Sequence, residues 1–290
     1  MIKKNRKDNH KLDESKFYLE ELRKFFWCQL TILKGLWNAK LKGRAEEIKI
    51  VLGSSCCTGW AIYELGGDYE RYYTEMMMLA RSFIEKIINF CYVMVCDETE
   101  YRKFLLHPLY RAYHQMEKSK YAGDVKLGIK FLGRHLIKNN LKVSEALSLF
   151  SESDPRLNWS DKNLDQKVAV IKEKTNINIG IFLMNTLTIY SNASEALHGS
   201  LYGCSFHTGA YDPTINTSEG KEIEINLIKN TALLYVQLGF MIHEVVKYVV
   251  MDIMKDTKLL DLVKGSQENE KKAVSIMKAL FGFASIAKTK

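Results

Sequence analysis

The sequence predicts an all-α fold: a single helical bundle with an N-terminal helical arm. Only three prolines (Pro108, Pro155, Pro213) and 17 glycines are spread over 290 residues, leaving long uninterrupted segments that favour helices over a turn-dense β architecture. Hydrophobic residues make up 47% of the chain and charged residues 26%, the balance of a globular protein long enough to bury a sizeable core. Apolar residues also recur at three- and four-residue spacing through most of the chain, the mark of one-sided helices.

Residues 1–50 read as a basic tail and helical arm, 51–256 as the helical core domain, and 257–290 as a C-terminal helix packing on that core. The arm carries a helix from about Asp13, its cap, to Lys40, with Phe17, Leu19, Leu22, Phe25, Phe26, Leu30 and Leu33 on its apolar side. Gly53-Ser-Ser-Cys-Cys-Thr-Gly-Trp60 reads as an irregular connection and Gly66-Gly-Asp68 as a turn before a long helix over 69–96. In that helix Arg81, Ser82, Glu85, Lys86 and Asn89 fall in one arc of roughly 140°. Phe83, Ile84, Ile87, Ile88, Cys91 and Val95 are left for packing.

Further helices are expected over 98–118, with a kink or boundary at Pro108, and over 125–139, 142–150, 163–173 and 178–203. A break is expected at Ser151–Pro155, and an exposed loop over 208–219, rich in turn residues, is the candidate mobile lid. Two last helices, over 223–256 and 268–286, flank the polar connection Lys264-Gly-Ser-Gln-Glu-Asn. No internal repeat of fixed period is present.

Among the six cysteines no CxxC pair occurs and Cys56 and Cys57 are adjacent, so neither a zinc knuckle nor a disulfide framework is indicated and a reducing cytoplasm is the simplest compartment. The basic start is followed by charged residues rather than an apolar run, unlike a signal peptide. The longest apolar windows, 231–242 and 273–287, are too short or interrupted by Lys278, so no membrane span is expected. No phosphate-binding Gly-rich loop, nucleophile elbow, HExxH or EF-hand pattern occurs, so no metal and no cofactor is expected.

The net charge of +8 is unevenly placed: residues 101–150 hold 10 Lys/Arg against 3 Asp/Glu, whereas residues 51–100 hold 3 against 8. In the basic block aromatic residues alternate with cations, and Lys118, Lys120, Lys130 and Arg134 are the candidate nucleic-acid-binding residues. Cations there would hold phosphates while rings stack on bases. A solvated helix face with its aromatics turned inward has the same composition.

The most informative stretch is Tyr190-Ser-Asn-Ala-Ser-Glu-Ala-Leu-His198-Gly-Ser200. On a helix Ser191, Ser194 and Glu195 lie within roughly 60° of His198, so one imidazole has several partners in reach. Taken with Leu79-Ala-Arg81-Ser-Phe-Ile-Glu85-Lys-Ile-Ile-Asn89-Phe-Cys-Tyr92, it resembles domain-of-unknown-function family 5677, prokaryotic helical proteins with an Arg-Ser-x-x-Glu helix and a Tyr-x3-Ser-x3-His-Gly-Ser helix. The resemblance spans about residues 50–250 and implies an all-α bundle without an established activity. It brings Arg81, Glu85, Ser194 and His198 together across two packed helices as a candidate catalytic group. There Glu85 would orient the imidazole, Arg81 would stabilise an anion and His198 would move a proton. The same four residues could equally form a structural network that fixes helix register.

Arg102-Lys-Phe-Leu-Leu-His107 resembles the Arg-x(4–6)-His signature of HEPN ribonucleases, helical proteins that cleave RNA without a metal, usually as dimers. This implies Arg102 and His107 as an alternative catalytic pair. The leading functional expectation is therefore binding or cleavage of RNA, with a stress or anti-phage defence setting drawn from analogy. The alternative is a non-enzymatic protein–protein interaction module, with a protein partner or a second copy of the chain bound by its helices.

Overall fold

In the computed structural model Leu19, Leu22, Phe25, Phe26, Leu30, Leu33 and Leu36 are all buried along one side of helix α1 (Ile2–Asn38). The structure describes residues 2–131, 137–150, 158–198, 203 and 220–282. The expected lid over 208–219, the break at 151–155 and the site candidate Arg134 lie outside the described residues.

The chain is all-α. A short α2 (Arg44–Glu47) and α3 (Ile50–Leu65) lead through a 3-10 turn into α4 (Tyr69–Val95), followed by α5 (Glu98–Gln115). A two-stranded antiparallel hairpin, β1 (Glu117–Ala122) and β2 (Val125–Lys130), precedes α6 (Leu141–Leu149) and α7 (Leu164–Lys174). Helix α8 starts as Ile179–Asn185, widens into a π-helical turn, Thr186–Tyr190, and ends as Ser191–Leu197. Helix α9 (Gly220–Lys247) likewise runs into a π-helical segment, Tyr248–Met254, and α10 (Leu260–Phe281) closes the described chain.

Contacts divide the molecule into two compact units, residues 1–91 with 171–290, and residues 92–170. The boundaries expected near residues 50 and 256 fall inside the first. There α1 is the central helix, packed on α3, α9 and α10. Phe26 stacks on Tyr235 with ring centroids 5.4 Å apart, and Phe25 meets Phe240 edge to face. The segment Glu222–Met254 is long and apolar enough to cross a membrane, and 78% of its apolar window is buried within the protein, as befits a helix enclosed on all sides. In the second unit α5 packs on α6 through Leu106, Tyr110 and Ala146, with Tyr110 stacked on Phe150 at 4.4 Å. Buried Glu100 accepts hydrogen bonds from Ser160 (2.5 Å) and Tyr92 (3.3 Å).

Five local expectations are corrected. Helix α1 begins at Ile2, so Asp13 lies inside it and caps nothing. The stretch Gly53–Trp60 is helical, part of α3. A Cβ on Gly53 would stand 2.6 Å from the Trp37 ring, and the hydroxyls of Ser55 and Thr58 bond back to carbonyls four residues earlier, so its small residues serve close packing and not a break. Helix α5 runs through Pro108 without a boundary, with the proline on its exposed side. Residues 125–130 form a strand and not a helix. Val125, Leu127 and Ile129 alternate with Lys126, Gly128 and Lys130, and the two-residue Gly123-Asp124 turn, with Gly123 at φ 58°, joins the strands, a hairpin signature. Finally, Lys264–Asn269 lies within α10, because Ser266 is fully buried against α1.

Helices α1 and α9 approach so closely at Gly239 that a Cβ there would stand 2.6 Å from Cζ of the buried Phe25 ring. Alanine stabilises an ordinary helix position relative to glycine by about 1 kcal/mol. Here Gly239→Ala should instead lower stability in urea unfolding by about 1–3 kcal/mol through overpacking. A gain in stability would show that the two helices are not in this contact.

Candidate functional site

On α4, Arg81 and Glu85 stand one turn apart, and on α8 Tyr190 and Ser194 do the same, so each pair stacks on one helix face. The guanidinium of Arg81 bridges them. Its Nη1 donates to Ser194 Oγ at 2.9 Å and its Nη2 to Tyr190 Oη at 3.2 Å, while Nε lies 3.5 Å from Glu85 Oε1. Tyr190 donates its phenol proton to the same Glu85 oxygen at 2.7 Å, and Ser194 donates to the Tyr190 carbonyl at 2.9 Å. The Arg81 charge also sits 4.5 Å from the centre of the Tyr190 ring, within cation–π range. Burial first, then the bond to Glu85, pushes the Tyr190 phenol above its ordinary value, so it stays protonated and keeps donating.

The structure thus joins three of the four expected residues, Arg81, Glu85 and Ser194, with Tyr190 as the fourth member. His198 is exposed at the C-terminal cap of α8, and its backbone N–H closes the last turn onto Ser194 O at 3.0 Å. Among the described residues its ring has no bond to the Arg81 group. Tyr190 was legible: it lies four residues before Ser194 and eight before His198, on the stripe that carries both.

The alternative pair lies in the other unit. Arg102 is exposed and paired with Glu145 of α6, and His107 lies against the Phe150 ring at 5.9 Å. Five residues apart on α5, the two point roughly 140° apart around the helix. Lys120 and Lys130 sit on the hairpin with exposed side chains, the latter 3.7 Å from Glu117. For Lys118 the backbone is placed on β1, opposite Ile129.

A second polar cluster carried no signal as a motif: single polar residues inside apolar helices. Gln29 of α1 and Ser266 of α10 are fully buried, and His243 of α9 nearly so. Gln29 Nε2 donates to Ser266 O at 3.1 Å, so its Oε1 accepts the Ser266 hydroxyl proton at 2.6 Å. The hydroxyl lone pair then takes the Nδ1–H of His243 at 2.9 Å, an assignment made from the bonding pattern. This leaves Nε2 of the neutral ring as an acceptor, 3.4 Å from Glu270 Oε2. Nearby, Glu244 accepts the Asn178 N–H at 2.9 Å and pairs with Lys247 at 3.6 Å. A cavity of about 330 Å³ reaches His243, Glu244, Lys247 and Asp252. Among the described residues no three His, Cys, Asp or Glu side chains gather as a metal site.

Burial, and then the charge of Glu244, raises the Glu270 carboxyl from 4.5 to about 7, while burial holds His243 below its ordinary value. Glu270 therefore binds its proton more tightly in the folded state. Its contribution to stability is full below about 4.5 and is lost as pH rises through about 7. His243 has the opposite sign: its contribution is present above 6.5 and lost as pH falls. Relative to Glu270→Gln, the native chain should lose stability between about pH 4.5 and about 7 and level off above that, by no more than about 1.4 kcal/mol per pH unit. Urea titrations across that range measure this; parallel profiles would mean that Glu270 ionises as a solvated carboxylate.

Every residue of the Arg81 group, and His198 beside it, falls within residues 61–213, the segment matched by the sequence profile of a family of unknown function, DUF5677. No curated protein and no solved structure matches the chain significantly. Gln29, His243, Ser266 and Glu270 lie outside the matched segment. Since the match covers more than half of the chain and contains both helices that Arg81 joins, the chain belongs to the family of unknown function DUF5677.

Proposed function

We propose that this protein binds RNA through the β1–β2 hairpin. The observation that carries the reading is a two-stranded ribbon with Lys126 and Lys130 on the face of Tyr121 and Lys120 on the opposite face, and with open aromatic rings: Tyr121 is 67% exposed and Phe131, just past β2, 56%. Tyr121 is the cross-strand partner of Lys126, whose ammonium lies 5.4 Å from its ring centre. Cross-strand partners share a face, so the Tyr121 face offers a ring for a base next to Lys126 and Lys130 for phosphates. The proposal is binding and not cleavage, because the Arg81 group holds no free base: Tyr190 keeps its proton, and the Glu85 carboxylate is taken up by Tyr190 and Arg81.

A second reading, the non-enzymatic protein-interaction module, is favoured by the outer face of α8. Leu183, Met184 and Leu187 are exposed there at helical spacing, and clustered apolar side chains at a surface attract protein partners.

Fluorescence anisotropy with a single-stranded RNA tests the first against the second. Two phosphate contacts on the Tyr121 face predict a slope of about −1.4 in log K against log salt, hence a loss of roughly sevenfold between about 50 and about 200 mM salt. Replacing Lys120, Lys126 and Lys130 together with Glu should abolish the binding with folding intact. RNA binding unchanged by that replacement, or salt-insensitive capture of a protein in place of RNA, would overturn the proposal.

A further inference from the structure

A cavity of about 220 Å³ lies between α4, α8 and α9, room for about seven waters. It is distinct from the His243 cavity and from the hairpin. Three carboxamides face it, Asn192 from α8 and Asn230 and Gln237 from α9, and no charged side chain lines it among the described residues. Its other walls are apolar or aromatic, including Tyr73, Met77 and Ile189.

The bonding state of the three amides defines what the cavity lacks. Asn192 Nδ2 donates to Thr188 O at 2.9 Å, which leaves its Oδ1 as an acceptor. Thr188 Oγ1 stands 2.8 Å from both Gln237 Oε1 and Met184 O, and its one proton serves a single acceptor; in either arrangement the Gln237 amide keeps at least one N–H for the cavity. Asn230 Nδ2 is buried without any partner. An amide donor left in that condition destabilises the fold, and proteins retain such groups where something else completes them. The wall that carries Thr188 and Ile189 is the π-helical turn of α8, a distortion that recurs at functional sites.

A ligand that fits must be uncharged, because nothing there compensates a charge, and flat enough to lie between a phenol ring and apolar side chains. Along one edge it must present both acceptors and donors, to meet two amide N–H groups and an amide oxygen. Asn and Gln side chains read adenine by such paired bonds, and base-binding pockets combine them with aromatic or apolar walls. We propose that the cavity binds an uncharged planar nitrogen heterocycle: a free nucleobase or its nucleoside.

The inference does not rest on RNA binding by the hairpin, though a base carried on an RNA strand would share the chemistry. Calorimetry and thermal shift with adenine, uracil, cytosine and adenosine, each up to about 1 mM, test it. At least one should bind once per chain and raise Tm. Asn230→Leu, which removes an unpartnered amide and should leave the fold intact, should weaken that binding about tenfold or more, and Asn192→Ala should weaken it too. The Lys120/Lys126/Lys130→Glu replacement should leave it unchanged, so loss of hairpin RNA binding and loss of cavity binding are separable. The proposal is overturned if none of the four compounds binds, if Asn230→Leu binds as tightly as the native chain, or if benzene binds as well, which would mark a dry apolar hole. Binding of the base only as part of an RNA strand would also overturn it.

Discussion

Helix α8 is fastened to its bundle by hydrogen bonds from two sides, and the amide-lined cavity takes one of its walls from α8. The helix buries few large apolar side chains, chiefly Phe182 and Ile189, while Leu183, Met184, Leu187 and Leu197 face outward. Polar groups fasten it on two sides. Arg81 and Glu85 grip Tyr190 and Ser194 from α4. From α9, Gln237 holds Asn185 through its carbonyl and Thr188 through its side chain, and Glu244 takes the N–H of Asn178, the residue that caps α8. Bonds of this kind are directional, so they fix the rotation of α8 about its axis more narrowly than apolar contact would.

That fixed rotation joins the two segments that stand out in the sequence. The Arg-Ser-x-x-Glu turn of α4 and the Tyr-x3-Ser turn of α8 are two halves of one clasp, and the clasp sets the π-helical turn against the amide-lined cavity. At the other end Glu244 couples the start of α8 to the buried chain of Gln29, Ser266, His243 and Glu270, which ties α1, α9 and α10 together. Half-buried charges serve here as register pins: the pairing of Arg81 with hydroxyls and a carboxylate satisfies its donors at little cost in exposed apolar area.

Much of this was legible in the sequence. The long amphipathic stripes of α1 and α4 announced themselves by spacing, and the meeting of Arg81 and Glu85 with Ser194 was implied by the family resemblance, whereas the expected entry of the His198 ring into that group does not occur among the described residues. The hairpin is harder to see, because its alternation of Val125, Leu127 and Ile129 with Lys126, Gly128 and Lys130 spans only six residues inside a long basic stretch, and Gly123-Asp124 is its one turn signal. Gly53–Trp60 and Lys264–Asn269 misled for one shared reason: glycine, serine and threonine are the residues of loops and also of tight helix contacts, and only the partner, Trp37 in one case and Gln29 in the other, tells which. Buried His243 could not be read as part of a network, since its partners lie on helices distant in sequence, Gln29 before it and Glu270 after it.

Native-state hydrogen exchange on Arg81→Ala bears most directly on the claim that polar grips hold α8. The clasp predicts that α8 amides, from Ile181 to Leu197, lose about 1–3 kcal/mol of protection, while the amides of α1 and the middle of α9 exchange as in the native chain. Equal loss of protection across α1, α8 and α9, or none in α8, would contradict it.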